Sequence, residues 1–137
     1  MKTLLSGAIA LALTALVVGP VLAQGKLRPG QLSIDKGTKT ATATAGAATL
    51  SKSSGKITTE ALTTAAAATY TLTLTNTRIA AADTVFVSVA NGTNSAGAPT
   101  VQSVLPQAGS VVIVIRNAHA SAAFNGTLVV SFAVFKA

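Results

Sequence analysis

The segment TYTLTLTN, Thr69 to Asn76, sets threonine at 69, 71, 73 and 75 and places Tyr70, Leu72 and Leu74 between them. Only an extended strand sends successive side chains to opposite faces, so this period of two buries Leu72 and Leu74 together and leaves a threonine row on the other side. A half-buried strand cannot stand alone: it needs neighbours along its edges and a second layer against its apolar face.

The rest of the chain supplies both. TVFVSVANG, Thr84 to Gly92, sets Val85, Val87 and Val89 against Phe86 and Ser88. SVVIVIRN is apolar on both faces from Val111 to Ile115. GTLVVSFAVF is too, with Leu128, Val130, Phe132 and Val134 on one side and Val129, Ala133 and Phe135 on the other. Such strands are expected in the middle of a sheet. TVQSVL is opened by Pro99 and closed by Pro106, as prolines kept out of strand interiors would be. AATLSKSSGKITTEAL reads as a hairpin turning at Ser53-Ser54-Gly55. TTAAAA, Thr63 to Ala68, reads as a loop, because nothing caps it or continues it with helical periodicity. Seven or eight strands over about 90 residues imply an all-β fold, an antiparallel β-sandwich of jelly-roll or immunoglobulin-like type over 47–137. An open sheet would expose too much of Val111–Ile115 and Leu128–Phe135.

Two segments precede the sandwich. Residues 1–23 carry Lys2, an uncharged apolar run from Leu4 to Val18, and small residues at Val21 and Ala23, the pattern of a signal helix cleaved after Ala23. This predicts export and no membrane attachment after cleavage; an uncleaved anchor is the alternative. Residues 24–46 mix Pro, Gly, Lys and Thr and read as an extended arm with one edge strand over Thr38 to Thr44. The arm is basic through Lys26, Arg28, Lys36 and Lys39. Beyond Ala23 the only acids are Asp35, Glu60 and Asp83. That asymmetry suits an acidic partner, such as a capsid or particle surface, lipopolysaccharide or another acidic polysaccharide, or a membrane face, or else serves solubility. Nucleic acid is disfavoured, since the basic stretch has no aromatic residue to stack on bases.

Little in the chain resembles catalytic machinery. His119 is the only histidine, so a Ser–His–Asp set would have to draw on Asp35 or Asp83, and no G-x-S-x-G accompanies it. Ser33–Lys36 and Ser53–Lys56 match S-x-x-K without the helix or K-T-G that would give the match meaning. Three scattered acids and one histidine supply neither a glycosidase pair nor a metal-ligand spacing. With no cysteine, no disulfide or thiolate site is available. No cofactor, metal or catalytic residue is therefore assigned.

The candidate contact residues lie in two connections, Asn91–Pro99 and Arg116–Asn125: Asn91, Asn94, Arg116, His119, Phe124 and Asn125. The second connection also reads as a plain loop, with Phe124 folding back as a plug on the core. Asn91-Gly92-Thr93 and Asn125-Gly126-Thr127 are glycosylation sequons in form. Asn-Gly turns with positive φ, each followed by a strand-forming threonine, explain both more simply. The Thr69–Thr75 row is too isolated to suggest an ice-binding ladder.

From GKITTEALTTAAAATYTLTLTN through VSVANGTNSAGAPTV to GSVVIVIRNAHASAAFNGTLVVSFAVF, about residues 55–135, the text resembles small β domains associated with tailed phages. That resemblance implies a virion decoration or fibre-type structural module, while the signal-like N-terminus keeps a secreted bacterial protein in play. The expected function is non-enzymatic: a structural sandwich that assembles by surface burial as a homo-oligomer or on a capsid or particle. A secreted carbohydrate- or surface-binding module is the alternative, weakened by the lack of tryptophan and the single tyrosine, Tyr70.

Overall fold

The computed structural model describes residues 39–137. The expected signal helix and Lys26, Arg28 and Lys36 of the arm lie outside the described residues. Eight strands form: β1 (Thr40–Thr42), β2 (Ala47–Thr49), β3 (Ser54–Thr58), β4 (Thr69–Thr75), β5 (Thr84–Asn91), β6 (Pro99–Gln107), β7 (Ser110–Asn117) and β8 (Leu128–Phe135). They make two four-stranded sheets in a sandwich-like arrangement, ordered β1-β3-β8-β5 and β2-β4-β7-β6. No helix occurs among the described residues.

The period-two text sorts side chains as its chemistry demands. Leu72 and Leu74 of β4, Val111, Ile113 and Ile115 of β7, and Leu128, Val130 and Phe132 of β8 are buried and share one core with Ile57 and Phe124. The strands apolar on both faces take the interior positions, β7 between β4 and β6 and β8 between β3 and β5. There each outer face is half-covered by its neighbours, which is why Val112, Val114 and Val129 are tolerated outside.

Four expectations are corrected. The sheets are mixed, because β1 pairs with β3 and β2 with β4 in parallel. A tight reverse turn joins the two short strands: after β1 the chain doubles back at Ala45 (φ 50°) and Gly46 (φ 74°), where Thr44 and Ala47 exchange backbone hydrogen bonds, and changes sheet. A Cβ on Gly46 would come within 2.7 Å of the Thr71 carbonyl oxygen, so the turn can lie against β4 only with glycine there. Within the segment expected as an arm, the edge strand over Thr38 to Thr44 is observed as β1, Thr40–Thr42. Second, β2 and β3 are no hairpin: they lie in different sheets, and Leu50 to Ser53 carries the chain between layers. Third, Pro106 does not end its strand but pairs with Val111 inside β6. It fits because β6 is an edge, where a missing N–H costs no ladder bond. Fourth, Gly92 and Gly126 are not among the positive-φ residues, so the Asn-Gly pairs are not turns of that kind.

Candidate functional site

All six candidate contact residues come to one end of the sandwich, where the β5–β6 and β7–β8 connections run side by side. The knot at its centre is Asn117, the last residue of β7. It continues the inward parity of Val111, Ile113 and Ile115 and is fully buried. Its Nδ2 donates to the carbonyls of Thr64 (3.2 Å), Ala65 (3.3 Å) and Ala122 (2.8 Å). Its Oδ1 accepts from the N–H groups of Ala98 (3.0 Å) and His119 (3.1 Å). One amide side chain therefore fixes three connections, and burying it without these partners would be costly. Phe124 lies against this knot with 2% exposure, its N–H bonded to the Thr64 carbonyl. The expected plug is present, and its ring is core, not contact surface.

The two Asn-Gly-Thr tripeptides grip each other. Thr93 N–H donates to Thr127 Oγ1 (3.0 Å), and Thr127 N–H donates to Thr93 Oγ1 (2.9 Å). Gly92 N–H meets the Thr127 carbonyl at 2.9 Å. The segments approach so closely that a Cβ on Gly126 would lie 2.7 Å from Asn94 N and from Thr93 Oγ1. Close backbone contact explains the glycine. The asparagines complete the clasp: Asn94 Nδ2 donates to Asn91 Oδ1 (2.8 Å), and Asn94 Oδ1 accepts from Asn125 N–H (2.9 Å). Asn125 Oδ1 accepts from the N–H groups of Ser95 (2.8 Å) and Ala96 (3.1 Å).

His119 is also engaged. Its Nδ1 accepts from the N–H groups of Ser121 (3.1 Å) and Ala122 (2.8 Å), which sets the proton on Nε2 and makes the ring a brace for the loop. Asp83 sits elsewhere, its carboxylate bound to Lys136 Nζ at 2.6 Å and to the Ala80 N–H at 2.7 Å. Those contacts, the lysine first, hold its carboxyl below the usual range. No triad is therefore assembled from His119 and Asp83. Among the described residues, no three His, Asp or Glu side chains gather as metal ligands. Arg116 stands exposed on the outer face of its sheet, in register with Thr69 and Thr100. Lys39, the one described member of the basic arm, gives its carbonyl to the Lys56 N–H (2.8 Å) just before β1.

Glu60 makes the remaining notable polar site. Its carboxylate accepts from Gly46 N–H (2.9 Å) and Tyr70 OH (3.0 Å), tying the sheet-changing turn to β4. Burial, and then the carboxylate facing it, push the Tyr70 phenol well above the usual tyrosine range.

Sequence reasoning passed over Asn117, and the signal was present. Parity along VVIVIRN carries position 117 to the buried face, just as parity along TYTLTLTN carries Asn76 there. Asn76 is likewise buried, with Nδ2 on the Lys52 carbonyl (2.7 Å) and Oδ1 on the Arg78 N–H (3.0 Å). Comparison of the chain with protein-family models, curated proteins and solved structures gives no match.

Proposed function

We propose that the chain is a non-enzymatic structural module that works by burying surface against other molecules on a particle or cell exterior. The observation carrying this reading is on the outer face of the β1-β3-β8-β5 sheet. Phe86 and Phe135 are 63% and 56% exposed there and meet edge to face at 5.2 Å. Two of the four phenylalanines are thus spent on solvent, beside Ala133 and Val129. An outward aromatic pair is costly in a free monomer and useful at an interface. The asparagines, the threonines and the histidine of the loop end, by contrast, are engaged in holding loops.

We also read the strand order as a shortened jelly roll. The pairs β3–β8 and β4–β7 are nested, with β5 returning to β8 and β6 to β7. The virion setting draws on the resemblance of residues 55–135 alone. The basic arm supplies the cations that an acidic particle surface would meet.

Sedimentation of the protein from its native source tests the reading. Co-migration with large particles, or a defined multimer, is the expected result. A free monomer that a polysaccharide column retains would replace it with the carbohydrate-binding alternative.

A further inference from the structure

Among the described residues the sandwich has four sheet edges, and three are protected against pairing. β1 and β2 are three residues each. β6 is long, but Pro99 and Pro106 interrupt its donors and a bulge lies between Val101 and Ser103. Short edges, prolines and bulges are the ordinary devices that stop strands from recruiting others. β5 has none of them: Thr84–Asn91 is eight residues without proline, bulge or charge, paired in unbroken register with β8.

Its open valences can be assigned. Gly92 N–H donates to the carbonyl of Thr127, the residue directly opposite in the β5–β8 register. Thr84, Phe86, Ser88 and Ala90 share that parity and spend their peptide groups on β8. Val85, Val87 and Val89 therefore turn their N–H and C=O groups outward from the sheet.

We infer that β5 is a self-association edge, on which β5 of a second copy pairs antiparallel about a two-fold axis through Val87; this specifies the partner within the structural role proposed above. Three features select a copy of this chain. The register that overlaps Thr84–Ala90 completely is centred on Val87, and it is also a register in which the outward peptide groups face one another. Val87 meets Val87 and Val85 meets Val89, about six ladder bonds in all. The side chains match as well: Phe86 faces Ser88 of the copy, and the two Phe86 rings come within diagonal reach, extending the Phe86–Phe135 pair across the junction. Charge completes the argument. The chain has a formal net charge of +7, so two copies repel unless they meet where cations are absent. The outward residues of β5 and β8, Thr84 to Ala90 and Val129 to Phe135, carry none. An acidic partner would find nothing there to bind.

Sedimentation velocity of the full chain over a wide concentration range tests the inference. The unaltered chain is expected to dimerise. Val87→Pro removes an outward N–H without touching the β8 ladder, and Phe86→Lys places a cation beside the two-fold axis; each should abolish the dimer while leaving the far-ultraviolet dichroism unchanged. Leu105→Lys, on exposed β6, should leave the dimer intact. If Val87→Pro does not fold, Phe86→Lys, at an exposed position, decides the matter. A chain that stays monomeric throughout overturns the inference, as does a dimer that survives the β5 substitutions. Assembly that is indifferent to them defeats the β5 edge alone. A β5 dimer found only free and retained on polysaccharide defeats the structural role alone.

Discussion

At the loop end, Asn91, Asn94, Asn117, Asn125, Thr93 and Thr127 place their polar side-chain atoms on one another or on neighbouring backbone. Along β5, three valines turn peptide groups away from β8 and a phenylalanine lies 63% exposed beside them. The first region is rich in residue types that bind and catalyse, and it has spent them. The second is made of residue types that usually fill cores, and it has kept both hydrogen-bonding capacity and apolar surface. Residue type alone therefore misleads about where a partner would find purchase.

If the loop end is a structural clasp, breaking it should cost stability first. Phe124→Ala is expected to be worst, about 3–5 kcal/mol in urea unfolding, because the ring is fully packed and anchors the connection. Asn117→Ala should cost about 3 kcal/mol, since it strands several buried carbonyls and N–H groups at once. Gly126→Ala pushes a methyl into the backbone of Thr93 and Asn94 and should lower stability by about 2 kcal/mol, read as a shift in Tm. A ligand-binding loop would instead give variants that fold normally and lose a partner.

Smaller effects sharpen the contrast. Tyr70→Phe removes one hydrogen bond to Glu60 and should cost about 1 kcal/mol near neutral pH. Because folding raises this phenol's pKa, its contribution is complete below the ordinary tyrosine value of 10.0 and is lost as the pH climbs above it. Alkaline titration of stability should therefore fall more steeply in the unaltered chain than in Tyr70→Phe. Least of all should come from Arg116→Ala, exposed on its sheet: a change within about 0.5 kcal/mol by chemical denaturation.

The strands were legible because alternation is a local property. TYTLTLTN and TVFVSVAN state their inward faces outright, and VVIVI and LVVSFAVF state that they are interior. The same parity would have exposed Asn117 and Asn76 as buried had it been followed one residue past the apolar run. What local text could not carry was the pairing between distant segments. Nothing in AATLSKSSGKIT distinguishes a hairpin from two strands in different sheets, because the choice is made by β4 and β8, which receive them. Likewise, the reason for Gly92 and Gly126 is each other's neighbouring threonine, more than thirty residues away in sequence. The openness of β5 is also a property of the assembled sheet, visible only once β8 is known to occupy one side of it.

Amide hydrogen exchange on the full chain, read residue by residue at low and high protein concentration, tests the contrast most directly. The account predicts slow exchange at Asn125, Thr127 and Ala122 that is independent of concentration. It also predicts exchange at Val85, Val87 and Val89 that is fast when dilute and slows markedly as concentration rises. Fast exchange throughout the loop end, or concentration-independent exchange along β5, would contradict it.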